Sequence, residues 1–192
     1  ALVLTAYLSI WVLVRVAGVV PQLTSIGHWY ALGESLAPAI GAWTLGASLA
    51  RPGDAGRIES ISGERAMRVA RFLFGASCIA FGLAHFAYAE FTARMIPRWF
   101  PARLGLAYFT GTCHVAAGLG IVSSISARLA ATLEAFMLGS FVLLVHIPSV
   151  IVSPPPDWAP TPRTQWTELL LAWLIAASAG IIAARAAAAR SS

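Results

Sequence analysis

The residues able to do chemistry in this chain are few: four histidines, and a small number of acids set inside apolar stretches. His85 and His114 bracket most of the stretch FGLAHFAYAEFTARMIPRWFPARLGLAYFTGTCH (81–114), with Glu90 and Tyr108 between them. His146 lies further on, Glu168 opens the last apolar segment, and His28 precedes the second. Imidazole titrates near neutral pH and can hold a hydrogen bond at each nitrogen, so such a set suits proton relay or recognition of a polar group in apolar surroundings. We take His85, His114, His146, Glu90, Tyr108 and Glu168 as the candidate ligand-binding set. No catalytic residue and no metal-ligand set is assigned, because the chain has no G-x-S-x-G, no H-E-x-x-H, no P-loop, no CxxC and no glycine-rich dinucleotide loop.

Composition indicates which elements position these groups. Only 11% of the 192 residues are charged, 58% are hydrophobic, and the mean hydropathy is +0.76. Soluble domains carry roughly a quarter of charged residues. An integral membrane protein made almost wholly of helix is expected, since only in a helix can a single segment of about 20 apolar residues satisfy its own backbone in lipid. Six such segments are expected, at about 1–20, 29–50, 70–92, 105–122, 128–150 and 167–187. They divide into an N-terminal two-helix hairpin (1–50), a polar loop (51–69) and a four-helix bundle (70–192). The first segment has no basic n-region or A-x-A site and reads as a spanning helix, not a signal peptide. Cys78 and Cys113 lie at different expected depths, which argues against a disulfide.

The net charge of +5 comes from thirteen basic residues, every one an arginine. No basic patch is interleaved with aromatics, so nucleic acid is not an expected partner; the arginines speak to topology instead. With six spans, Arg51, Arg57, Arg65, Arg68, Arg71, Arg128, Arg185 and Arg190 share one side and Arg94, Arg98, Arg103 and Arg163 the other. The positive-inside rule then places both termini in the cytoplasm of a bacterial inner-membrane protein, with Trp29, Trp99, Trp158 and Trp166 as an outer aromatic belt.

In that topology every intramembrane ionisable residue except Glu134 falls in the outer half. Phase adds to position: the stripes Gly75, Cys78, Gly82, His85, Ala89; Ala107, Gly111, His114, Gly118; and Ala135, Gly139, Val142, His146 put each histidine on a small-residue face, by which membrane helices approach closely. The histidines should point into the bundle. Arg15 and Glu34 lie at matching distances from the turn PQLTSIGH and are expected to form a buried ion pair, since a lone charge in hydrocarbon costs roughly 2.5–3.5 kcal/mol. Glu134 is expected to bond a Ser/Thr hydroxyl or to pair with Arg128. The connector with Pro97 and Pro101 reads as a short interfacial cap, and SPPPDWAPTPRTQW (153–166) as a stiff extended strap.

GLAHFAYAEFTARMIPRWFP, AYFTGTCHVAAGLGIV, RLAATLEAFML, FVLLVHIPSVIV and a final W-x-E-L-L together resemble the DoxX-like family of small bacterial membrane proteins, over about Val69 to Ile182. The resemblance implies a compact four-helix transmembrane bundle in a family linked to quinone-coupled sulfur oxidation and membrane oxidoreductase complexes. It supplies no catalytic residues.

Two functional readings stand side by side. In the first, the chain is a redox-associated subunit that binds a quinone or similar lipophilic small molecule in the outer half of the bundle, with any electron carrier held by a partner. In the second, it is a non-catalytic accessory subunit packed against other membrane-protein subunits and lipid, its histidines bonded within the fold. Bis-histidine haem ligation by His85 and His114, a three-histidine metal site and transport are further readings.

Overall fold

The computed structural model describes residues 2–50, 61–152 and 155–188, and these are helices joined by short connectors. We number them α1 (Leu2–Val19), α2 (Ile26–Ser48), α3 (Glu64–Ala87), α4 (Ala89–Met95), α5 (Arg103–Ser123), α6 (Ala127–Ile151) and α7 (Pro162–Ala188). Among the described residues there is no strand. The chain is an all-α integral membrane protein.

Among the described residues five helices are long and apolar enough to cross a bilayer: α1 with its 3₁₀ extension to Gln22, α3, α5, α6 and α7. The sixth expected span, α2, has the length but not the apolarity. Its sequence is diluted by Glu34, Pro38, glycines and hydroxyls, and the reason is its position. It is enclosed by protein more than by lipid: Gly33, Ala37, Ile40, Gly41 and Thr44 are all buried. The added Cβ of an alanine at Gly41 would run into Ser178 of α7.

Helix pairing closes a ring. α2 packs on α3, α3 on α5, α5 on α6, α6 on α7, and α7 back on α2. The interior is therefore enclosed by five helices, where a four-helix bundle was expected, and α1 lies outside, against α2. Phe74, Cys78, Phe81, Ile121, Leu138, Ile175 and Ile182 fill the ring. At one end, Arg71 donates to Ser124 Oγ at 2.6 Å and Arg185 meets Glu64 at 3.9 Å. The opposite end carries the connectors before α2, α5 and α7, tied by Arg94 and Asp157 at 3.7 Å.

Several boundaries depart from expectation for local reasons. The polar stretch assigned to a loop contributes two turns to α3, which begins at Glu64 and places Arg65, Arg68 and Arg71 on its first turns. Residues 51–60 lie outside the described residues, as do Arg51, Arg57 and Arg190. The single helix expected over 70–92 breaks at Tyr88 (φ −120°, ψ 35°) and resumes as α4. In α6, Pro148 has no N–H for the Leu144 carbonyl, and its ring crowds that carbonyl. The helix answers with a π turn over Val142–His146, in which the Ile147 N–H reaches back to Val142 O. The strap before α7 is not extended where described: Ala159 N–H donates to Pro156 O, and Gln165 Nε2 donates to Ala159 O at 3.1 Å.

Candidate functional site

Inside the ring, toward the end that carries the α2, α5 and α7 connectors, is a cavity of about 450 Å³. Ligand cavities of drug-sized molecules run from about 300 to 1,000 Å³. Its walls are Phe81, Ala84, Phe91, Met95, Leu138, Phe141, Leu171 and Ile175, with polar groups set among them: Tyr30 and Glu34 from α2, His85 from α3, Thr110 and His114 from α5, His146 from α6 and Glu168 from α7.

His85 and His114 meet because α3 and α5 touch backbone to backbone. A Cβ placed on Gly82 would stand 2.5 Å from Gly111 O, and one on Gly118 would stand 2.6 Å from Gly75 O. Only glycine allows this approach, and it brings the two imidazole rings to a centroid separation of 4.9 Å, tilted by 55°. Phe141 of α6 packs against both, at 6.4 Å from His85 and 5.9 Å from His114, and Phe81 lies edge-on to His114 at 5.9 Å.

Each of the two rings is held by its Nδ1. His85 Nδ1–H donates to the Phe81 carbonyl at 2.9 Å, one turn back on its own helix. His114 Nδ1 is hydrogen-bonded to Glu134 Oε1 of α6 at 2.7 Å. His114 is 1% exposed and Glu134 is fully buried, so this hydrogen bond is removed from water on all sides. The pairing replaces the partners expected for Glu134. Arg128 and the hydroxyls of α6 are not its contacts; Thr132 and Ser140 spend their hydroxyl protons on backbone carbonyls instead. Glu134 Oε2 has no hydrogen-bond partner, and the Cys78 thiol lies beside the carboxylate.

His146 shares the cavity without joining that cluster. It is 7% exposed, packs edge-on to Trp158 at 5.9 Å, and its Nδ1 has no partner. Its row on α6 is Glu134, Leu138, Val142, His146, all buried. The expected glycine stripe is displaced by one position: a Cβ on Gly139 would meet nothing within 4 Å.

Of the other expected site residues, Glu168 lines the cavity, whereas Glu90 and Tyr108 do not. Glu90 comes just after the break at Tyr88, which turns Ala89 inward and leaves Glu90 exposed. Tyr108 is 47% exposed and stacks on Phe86 on the outer surface, because Ala107 holds the inward phase of α5. The expected Arg15–Glu34 ion pair is not among the ion pairs of the described residues. Arg15 is exposed on α1 while Glu34 turns to the cavity beside Tyr30, one turn away. His28 is occupied locally, with Nδ1 2.8 Å from Ser25 Oγ. Cys78 and Cys113 are both free thiols.

The geometry also bears on metals. Two axial imidazoles on opposite faces of a haem, each with a metal–nitrogen bond of about 2.0–2.1 Å, need ring centroids roughly 6 Å apart or more. His85 and His114 are too close for that. Among the described residues no three His, Cys, Asp or Glu side chains are grouped to hold an ion, so the three-histidine site is not assembled. What the arrangement offers is two imidazole rings on the wall of an apolar cavity, one of them backed by a buried carboxyl group. No family model, curated protein or solved structure matches this chain.

Proposed function

We propose that the protein is a membrane-embedded, redox-associated subunit that holds a quinone/hydroquinone or similar lipophilic ring compound in the cavity between α2, α3, α5, α6 and α7. The observation that carries this reading is the row His85, His114, Glu134 on the wall of an otherwise apolar cavity of about 450 Å³. Interconversion of a quinone and its hydroquinone moves two protons with two electrons. A carboxylate-backed imidazole at the ring oxygen handles the protons, and a carrier on a partner subunit handles the electrons. The resemblance to DoxX-like proteins is in keeping with this assignment. We further place the chain in a bacterial inner membrane with both termini cytoplasmic, on the eight-to-four arginine distribution. The cavity then opens toward the outer face.

The accessory-subunit reading draws on a different observation. Only 6% of the α1 window is buried, and Tyr7, Ile10, Trp11 and Val14 are exposed beside Arg15. Lipid or a partner helix covers that face. The two readings are compatible, since the cavity lies on the other side of α2.

The test is titration of decylubiquinol, kept reduced under anaerobic conditions, into the protein in lipid nanodiscs, read by tryptophan fluorescence against empty nanodiscs. Saturable quenching that is lost in His85→Leu supports the reading. Quenching no greater than simple partition into lipid overturns it.

A further inference from the structure

The hydrogen-bonding groups at the deep end of the cavity have a common polarity. Phe81 O can only accept, so the proton of His85 sits on Nδ1, 2.9 Å away. With the Glu134 carboxyl group ionised, its Oε1, 2.7 Å away, likewise takes the Nδ1 proton of His114. In each neutral ring Nε2 is then a bare lone pair. Two imidazolium rings with centroids 4.9 Å apart in an apolar interior would repel strongly, so both rings cannot be cationic together. Thr110, the remaining polar group at this depth, directs its hydroxyl proton to the carbonyls of Leu106 and Ala107, at 2.9 and 3.1 Å. Its lone pairs remain. The other polar walls stand apart from this pair: Glu34 and Glu168 are carboxyl groups, the Tyr30 hydroxyl is engaged by Glu34, and His146, whose Nδ1 has no partner, lies on α6 outside the His85–His114 cluster.

We infer that the cavity is selective for a ligand that presents a hydroxyl donor to His85 and His114: a phenol or the reduced, hydroquinone form of a ring compound, in preference to a quinone carbonyl or an ether. This deepens the reading of the cavity as a ring-compound site and rests on it. A ring hydroxyl placed between Phe81, Phe141 and the two imidazoles finds two acceptors. A carbonyl or methoxy oxygen in the same place faces lone pairs and leaves buried polar atoms unpaired, which is the situation in which sites discriminate most steeply. Transfer of that hydroxyl proton to His114 Nε2 breaks the O–H bond, forms the N–H bond, and leaves an imidazolium facing Glu134 and a phenolate in the cavity. No oxidant is needed for this step.

Calorimetric titration of 4-heptylphenol and of 4-heptylanisole into the wild-type protein in nanodiscs, each corrected with empty nanodiscs, tests the polarity directly. The two ligands differ only in the O–H. The expected result is a dissociation constant at least about 30-fold lower for the phenol, the preference shrinking to within about 3-fold in His114→Phe. Equal saturable binding of phenol and ether by wild type overturns the donor preference while the cavity reading stands. Failure of both ligands to bind overturns the donor preference, and if decylubiquinol does not bind either, the cavity reading fails with it. Because the decisive comparison is made on one protein with two ligands, it does not depend on any variant folding.

Discussion

His114 on α5 and Glu134 on α6 stand 2.7 Å apart because each lies ten positions from Ser124, in the turn that joins their helices. An α-helical hairpin with so short a turn puts residues equidistant from it at one depth, here about 15 Å from the turn at 1.5 Å per residue. The pair is thus a consequence of the connection: a polar group on one helix faces the matching position of the other at the same depth. Ser124 adopts φ 65°, and this left-handed residue keeps the turn tight.

The pair should be worth measuring as a coupled unit. His114→Phe and Glu134→Leu each leave a polar partner buried and unsatisfied, and each is expected to lower stability by about 1–3 kcal/mol. The double variant removes both polar groups and should lose less than the sum of the two. Thermal unfolding of the four proteins in one detergent gives the cycle; strict additivity would show that the hydrogen bond does not operate in the folded bundle.

Close approach of α3 and α5 rests on Gly82 and Gly118. Alanine at either position meets backbone of the partner helix, and overpacking of this kind costs about 1–3 kcal/mol. Gly139→Ala and Gly180→Ala are the matched controls, since neither Cβ meets anything within 4 Å. The expected order of melting temperatures places the two control variants at or above wild type and the two α3–α5 variants below. A uniform effect of all four substitutions would mean that helix propensity, not contact, sets the outcome.

Pro148 fixes the direction of His146 through the π turn. In Pro148→Ala the Leu144 carbonyl regains its donor, the helix can return to regular α geometry, and His146 should rotate by about one residue's worth of helix, roughly 100°, away from the cavity. Bundle stability should be unchanged or higher. Ligand affinity should fall about tenfold, the equivalent of one hydrogen bond of about 1.4 kcal/mol. Unchanged affinity for decylubiquinol or 4-heptylphenol would show that His146 Nδ1 contributes nothing to recognition.

The membrane class, the helices and the inward direction of His85 and His114 are legible in the sequence, because small residues recur at three- and four-residue spacing beside each; His146 also faces inward, but on the row Glu134, Leu138, Val142 and not on the expected glycine stripe. Glu134 is harder to recognise as the partner of His114, although equidistance from a turn applies to this pair as it does to Arg15 and Glu34. Two signals mark it: the symmetric spacing about Ser124 and the row Glu134, Leu138, Val142, His146. Depth alone misleads where phase is unknown. Arg15 and Glu34 share a depth and interact through space, but Arg15 lies exposed on α1 while Glu34 lines the cavity, and no contact ion pair closes between them. Tyr108 and Glu90 are near the right depth as well, and each sits one position away from an inward alanine. Breaks at Tyr88 and before Pro148 shift the phase of the residues beyond them, and only the proline announces itself in a sequence. The role of α2 in closing the ring is hidden for another reason: a helix surrounded by protein does not need the apolarity by which spans are recognised.

The quinone content of the protein as isolated tests the cavity reading at its root. Wild type and the His85→Leu/His114→Phe double variant would be purified from the same host membranes in mild detergent, extracted with solvent, reoxidised, and their quinone measured per mole of protein against that of the bulk lipid. A stoichiometric quinone is expected in wild type, well above the lipid background, with a fall to background in the variant. Background quinone in wild type, or equal content in both proteins, would contradict the reading and leave the histidines as packing groups within the helix ring.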